Sequence, residues 1–152
     1  MLTDPDDTPS TAQLALRTLL GAALTFAGVG HLTNQREEFQ AQVPAWVPVS
    51  EDFVVLASGV VEITLGLALI ALLLPRFSRY RVVFGLVVAA FFVAVFPGNV
   101  GQWLEGKDAF GLDTGTARFV RLLFQPLLVA WALWSTGAWG PLKDRWRTRS
   151  GH

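Results

Sequence analysis

The sequence has no cysteine, a single methionine and only two histidines, His31 and His152. The absence of cysteine excludes disulfides, catalytic thiols, CxxC redox centres and thiolate metal sites, and with them a four-helix quinone-linked thiol oxidase. A cytochrome b is disfavoured as well, because bis-histidine haem ligation within one chain needs two facing histidines inside the membrane. The side chains therefore offer neither a thiol nor a haem ligand pair.

Charged residues are also scarce, at 16% of the chain, whereas a soluble domain has about 25%. Lysine plus arginine and aspartate plus glutamate both number 12, and no basic patch suited to nucleic acid is present, so we expect no nucleic-acid partner. The N-terminal residues include Asp4, Asp6 and Asp7. Because a secretory signal begins with basic residues, we predict no cleaved signal.

Long apolar stretches are abundant instead. A helix needs about 20 apolar residues to cross roughly 30 Å of hydrocarbon, and four stretches approach that length: Ala12–Thr33, Phe53–Leu74, Val82–Phe96 and Leu122–Thr136. We therefore predict an all-α protein, a transmembrane four-helix bundle over residues 12–140. A disordered tail (1–11) precedes it and a basic cytoplasmic tail (141–152) follows it. The lipid bilayer is then its principal partner.

Local signals predict how the first helix begins and packs. Ser10 or Thr11 is expected to cap it by accepting hydrogen bonds from its free N–H groups. Gly21, Thr25 and Gly28 lie on one face of this helix. Because small residues let backbones approach closely, we expect a neighbouring helix to pack against that face.

The first long loop (34–52) contains two prolines within Val43–Pro48, which exclude a regular helix there. Its Trp46 suits the headgroup layer of the membrane. We expect this segment to lie on the interface or to dip into it.

Proline and glycine also divide the later spans. The tight connection 75–81 predicts that the second and third spans form an antiparallel hairpin. Pro97 and Gly98 are expected to break the third span, so that Asn99 opens a second long loop. Pro126 is expected to kink the fourth span.

The basic residues predict orientation, because cytoplasmic loops carry an excess of lysine and arginine. Four of them would lie on one side of the membrane: Arg36, Lys107, Arg118 and Arg121. Eight would lie on the other side: Arg17, Arg76, Arg79, Arg81, Lys143, Arg145, Arg147 and Arg149. We therefore predict that both termini are cytoplasmic (N-in/C-in) and that the two long loops face outward.

Polar residues within or beside the spans cost free energy unless they pair or form a site. At about 1.5 Å per residue, Glu62 and Gln125 lie ~14 Å from the outer side. We predict an ion pair between Glu62 and Arg121, with its remaining hydrogen bonds supplied by Gln125, Asn99 and His31. The candidate ligand-binding residues, all in the outward half, are His31, Glu62, Asn99, Arg118, Arg121 and Gln125.

Two interpretations of this set are open. The network can be structural and hold four helices in register, or it can line an outward-opening pocket for a small ligand with a polar head. For His31 alone, a solvated or capping position at the interface is the simpler interpretation, and proton transfer or ligand binding is the alternative. No metal site is predicted, because one histidine, one glutamate and one asparagine suit transition metals poorly.

Five segments resemble, in order, the DoxX-like family of small bacterial four-span membrane proteins. They are Gly28-Val29-Gly30-His31, Val43-Pro44-Ala45-Trp46-Val47-Pro48, Ser58-Gly59-Val60-Val61-Glu62-Ile63 with Gly66, Phe96-Pro97-Gly98-Asn99-Val100, and the set Arg118, Arg121 and Gln125. The resemblance implies a four-helix bundle in the bacterial cytoplasmic membrane. The family takes its name from subunits of a thiosulfate:quinone oxidoreductase, and some relatives look like membrane partners of soluble redox or detoxifying enzymes.

The first functional hypothesis is a redox-associated membrane subunit that binds a quinone or another small polar ligand in the outward half. Arg121 would offer charge and hydrogen bonds, and Glu62 or His31 would carry protons. Its partner would be a soluble redox enzyme or another membrane subunit, and homo-oligomers are compatible with it. The alternative is a non-enzymatic scaffold or assembly factor, and a small-solute carrier is third. No catalytic residue is assigned.

Overall fold

The computed structural model describes residues 8–150, which contain helices and no strand. The elements, in chain order, are α1 (Thr11–Leu32), α2 (Arg36–Gln40), α3 (Glu51–Ala71), a 3-10 turn (Pro75–Tyr80), α4 (Arg81–Glu105), α5 (Gly115–Ser135) and α6 (Trp139–Ser150). Four helices, α1, α3, α4 and α5, are long and apolar enough to cross a membrane. The predicted all-α, four-span architecture is confirmed at this level.

The two predicted tails fall partly outside the described residues. Of the tail expected to be disordered, 1–7 lie outside them, and Thr11 already belongs to α1. At the other end, α6 covers most of the predicted basic tail, while His152 lies outside the described residues. The helical segment therefore extends further toward both ends than the apolar pattern alone indicates.

The first helix begins at a reciprocal cap. The backbone N–H of Gln13 donates to Ser10 Oγ at 3.2 Å, and the N–H of Ser10 donates to Gln13 Oε1 at 2.9 Å. This capping box satisfies two N–H groups that a helix start leaves without partners. The expected role of Ser10 is confirmed.

The small-residue face of α1 packs on α3. A Cβ added to Gly28 would lie 2.6 Å from the carbonyl oxygen of Gly59, and one added to Gly21 would lie 2.7 Å from that of Gly66. No real Cβ tolerates such distances, so glycine is required where the two backbones meet. The predicted close approach is confirmed, and α3 is the helix that makes it.

The third span does not end at Pro97. Helix α4 continues through Pro97 to Glu105 and ends at Gly106, which adopts a left-handed conformation (φ 65°). A proline removes only one hydrogen bond from a helix, and neighbouring helices in a bundle can compensate for it. Since Asn99 follows Pro97, it lies within α4 rather than at the start of a loop.

The four long helices form two closely packed pairs. Helix α1 packs mainly on α3, and α4 packs mainly on α5, whereas α3 and α4 touch sparsely. The tight connection predicted between the second and third spans is present as the 3-10 turn. This turn joins α3 to α4, but these two helices belong to different pairs and do not pack closely as a hairpin.

Large apolar side chains cover the outside of the bundle. One example stands on each of the four long helices, with exposed fractions of 42–77%: Phe26, Val61, Val93 and Leu127. Such a surface is unfavourable in water and favourable in hydrocarbon. The arrangement is that of a multi-pass membrane protein.

Candidate functional site

A cavity of about 490 Å³ lies between the four long helices. It occupies the end of the bundle where α1 and α4 finish and α3 and α5 begin, which we call the His31 end. Part of the first loop, from Gln42 to Val47, helps to line it. Its walls are mostly apolar, and their polar members are His31, Gln42, Ser58, Glu62, Asn99, Arg121 and Gln125.

Five of the six residues singled out in the sequence line this cavity, and Arg118 does not. Its Nε donates to the carbonyl of Leu112 at 3.1 Å, its Nη2 donates to the carbonyl of Asp113 at 3.2 Å, and it also pairs with Asp108. These contacts hold the loop before α5. Ligand binding by all six residues stays a prediction.

Glu62 pairs with His31 instead of Arg121. His31 Nδ1 lies 3.2 Å from Glu62 Oε2, and no ion pair within 4 Å joins Glu62 to Arg121 among residues 8–150. The cause is the contact between α1 and α3. Since Gly59 has no side chain, His31 can approach: a Cβ at Gly59 would lie 2.7 Å from the Cβ of His31. The predicted Glu62–Arg121 ion pair is wrong.

A solvated position for His31, one part of the simpler interpretation, is also wrong, whereas a capping position in the last turn of α1 is not contradicted. Only 5% of the residue is exposed. The ring of Phe39 stacks on the imidazole with a centroid distance of 3.4 Å and an angle of 17° between the planes. The sequence places His31 correctly at the end of a span but does not show that a loop residue covers it.

The Glu62 carboxylate accepts no hydrogen bond from any described residue. His31 Nδ1 is close to it, but the same nitrogen lies 2.9 Å from the carbonyl oxygen of Ala27, which takes its hydrogen. Oε2 of Glu62 is therefore buried without a hydrogen-bond donor, although it is in electrostatic contact with the imidazole. Buried polar atoms nearly always have a partner, so this one needs an explanation.

Asn99 and Gln125 form a hydrogen bond with each other and not with an ion pair. Asn99 Nδ2 donates to Gln125 Oε1 at 2.9 Å, and Gln125 Nε2 donates to the carbonyl of Phe92. Both contacts join α4 to α5. The role predicted for these two amides, to complete a Glu62–Arg121 pair, is therefore wrong.

Arg121 reaches an aromatic ring at the cavity. Its guanidinium carbon lies 5.0 Å from the centre of the Phe110 ring, which in turn meets Phe39 edge-on at 4.7 Å. An aromatic bridge of Phe39 and Phe110 thus connects His31 with Arg121. Sequence reasoning missed both phenylalanines, because an apolar ring in a loop carries no signal of what it covers.

The aromatic bridge includes a strained residue. Phe110 has φ 56°, in the left-handed region that bulky side chains rarely adopt. Its backbone N–H donates to the carboxylate of Glu38, which lies in the short helix α2 of the first loop. The two loops are therefore tied together next to Phe39, which lines the cavity.

An exposed ion pair holds the short helix α2. Arg36 pairs with Asp52 at the start of α3, and Gln40 Nε2 donates to the same carboxylate at 2.9 Å. These hydrogen bonds from Arg36 to Asp52 raise the pKa of the Arg36 guanidinium. The first loop is thus anchored on both sides of Phe39.

The opposite end of the bundle, which we call the Arg17 end, contains buried arginines. Arg17 is 1% exposed, and its Nη2 donates to the carbonyl of Leu72 at 3.3 Å, just beyond the last turn of α3. The positive charge of Arg81, which is also buried, repels that of Arg17. In the sequence Arg17 counts only as an indicator of orientation, and its burial was missed.

Within residues 8–150, no group of three or more histidine, aspartate or glutamate side chains is placed to hold a metal ion. A family model described as a domain of unknown function (DUF8561) matches residues 20–136. No curated protein and no solved structure matches the chain.

Proposed function

We propose that this chain, which belongs to the DUF8561 family, is a membrane protein that binds a lipid-soluble ligand with a polar head, of the quinone class. The observation that supports this proposal is the cavity of about 490 Å³, apolar along its walls and polar at one end. Ligand sites typically combine such apolar walls with a few convergent polar groups.

The polar end of the cavity contains side chains that can form hydrogen bonds with such a head and exchange protons with it. Arg121 has no hydrogen bond or ion pair with any described residue, so its guanidinium is available to an oxygen of the ligand. Glu62 and His31, in contact at 3.2 Å, are placed to exchange a proton with it. The apolar tail would lie against walls such as Leu24 and Phe92.

The resemblance to DoxX-like proteins supports a role as the membrane subunit of a redox system. Because the chain has no cysteine, electrons would come from a partner, either a soluble redox enzyme or another membrane subunit. We place the protein in the bacterial cytoplasmic membrane with both termini inside. The excess of basic residues at the Arg17 end supports this orientation, which would make the cavity open outward.

Native mass spectrometry of protein extracted gently from its own membrane tests this proposal. We expect a retained mass of quinone size, and we expect Arg121→Ala to lose it. Arg76→Ala is the matched control, because Arg76 is exposed at the other end of the bundle and should leave the retained mass unchanged. An empty wild-type protein, or a ligand retained equally in Arg121→Ala, would contradict the proposal.

The alternative is a scaffold or assembly factor. The amide pair of Asn99 and Gln125, which joins α4 to α5, favours it, because such a network stabilises a bundle without binding anything. A scaffold predicts a stably copurifying polypeptide and polar variants that lose folded yield instead of ligand. A small-solute carrier ranks third, supported only by Pro97 and Pro126 within the spans, and saturable uptake into liposomes would favour it.

A further inference from the structure

The hydrogen-bonding capacity left over in the cavity indicates which ligand head fits it. Oε2 of Glu62 is a buried acceptor without a donor, and Nε2 of Gln42 is a buried donor without an acceptor. Both residues line the cavity, and Glu62 is 92% buried, with 8% of its surface exposed. An unsatisfied buried polar atom is costly, so a ligand that supplies both missing partners gains affinity.

No donor in the cavity wall bonds Glu62 in this structure. His31 Nδ1 is directed to the carbonyl of Ala27, Asn99 Nδ2 donates to Gln125, and Gln125 Nε2 donates to the carbonyl of Phe92. A donor on a molecule in the cavity would therefore give Glu62 the hydrogen bond that it lacks.

We propose that the cavity selects the hydroxylated form of an aromatic head, a hydroquinone or phenol, over the quinone form, because only an O–H group can donate to Glu62. This inference rests on the proposed function and deepens it. A hydroquinone hydroxyl donates to the carboxylate, and its oxygen can accept from an amide such as that of Gln42. A quinone has only hydrogen-bond acceptors, so it leaves the Glu62 carboxylate without a donor.

The cavity walls suit an aromatic head. Phe39, Phe91 and Phe92 all line the cavity, and Trp46 lies at its loop side. Aromatic rings pack favourably against one another beyond the effect of buried area alone. An aliphatic alcohol would satisfy Glu62 equally well but would make poorer contacts with these walls.

Equilibrium binding to the full chain in lipid nanodiscs, kept anaerobic, tests the inference with three matched probes. They are decylhydroquinone, decylbenzoquinone and the dimethyl ether of decylhydroquinone, which is reduced but has no O–H group. We expect the hydroquinone to bind at least about tenfold more tightly than both others, since a hydrogen bond to a charged group is worth about 1.5 kcal/mol or more.

Two variants assign the selectivity to Glu62. Glu62→Met keeps the length of the side chain and removes the acceptor, so the hydroquinone and quinone should then bind within about twofold of each other. Glu62→Gln, the smaller change, adds a donor and should raise quinone affinity relative to the wild type. Glu51→Gln is the control, because Glu51 is exposed at the start of α3 and should leave the preference unchanged.

The failures are distinguishable. Equal affinity of the wild type for all three probes, or a preference that survives in Glu62→Met and Glu62→Gln, would overturn the selectivity while leaving quinone-class binding in place. Binding of none of the probes would overturn the proposed function as well. A dimethyl ether that binds as tightly as the hydroquinone would show that redox state, and not the O–H group, is recognised.

Discussion

Both ends of the bundle bury an ionisable side chain, but in different surroundings. At the Arg17 end, Arg17 donates to the carbonyl of Leu72 where α3 finishes, and a cation is favoured beside the carbonyl end of a helix. At the His31 end, Glu62 has an imidazole beside it, a cavity next to it and no hydrogen bond. Arg17 also has two buried nitrogens, Nε and Nη1, without a hydrogen-bond partner among the described residues, but it does not line the cavity. A buried polar group that is bonded to the backbone supports the fold, whereas one that has no hydrogen bond and lies beside a cavity is a candidate site.

Among variants that test this contrast between the two ends, we expect Arg17→Ala to change the stability most. The change removes a large buried side chain together with its hydrogen bond to Leu72, and it should lower the free energy of unfolding by about 3 kcal/mol. Chemical denaturation in mild detergent measures it. Arg17→Met should lose less, because it keeps most of the packing. Unchanged stability in Arg17→Ala would break the contrast between the two ends.

At the His31 end, the expected effect on stability has the opposite sign. Glu62→Met removes a buried acceptor that has no donor, so the ligand-free protein should become more stable by about 1 kcal/mol. The same denaturation measurement tests it, with Glu51→Gln, at an exposed site, as the reference. A clear loss of stability would mean that the contact with His31 is structural, and Glu62 would then resemble Arg17.

The smallest effect concerns the cover over His31. Phe39→Leu keeps the side chain apolar but removes the stack on the imidazole and the edge contact with Phe110. We expect a loss of about 0.5–1 kcal/mol in stability and faster hydrogen exchange at backbone amides in 106–114. Phe26→Leu, on the exposed outer face of α1, is the control. Exchange in that loop equal to the wild type's would show that the aromatic bridge does not hold it.

Position along the bundle could be predicted from the sequence, but the residue that each polar side chain contacts could not. The position of Glu62 and Gln125 at similar depth follows from counting residues along helices, and both do line one cavity. Which residue faces Glu62 depends on which helices touch. Gly28 and Gly59 bring α1 against α3, and so His31, not Arg121, reaches the carboxylate.

The features that the sequence did not reveal depend on loops and on tertiary contacts. Pro97 predicts a helix end because proline disrupts an isolated helix, yet within the bundle α4 continues past it to Glu105. Gln42 and Phe39 lie in a loop whose path over the cavity no periodicity encodes. Their roles appear only once the two loops are seen tied together through Glu38 and Phe110.

The glycine contacts between α1 and α3 have a mechanical consequence. The two backbones touch at two levels, Gly21 with Gly66 and Gly28 with Gly59, two turns of helix apart. Sliding one helix along the other by a single residue would drive side chains into both contacts at once, so the pair resists such sliding. A widening of the cavity by displacement of the α4–α5 pair or of the first loop would leave both contacts intact.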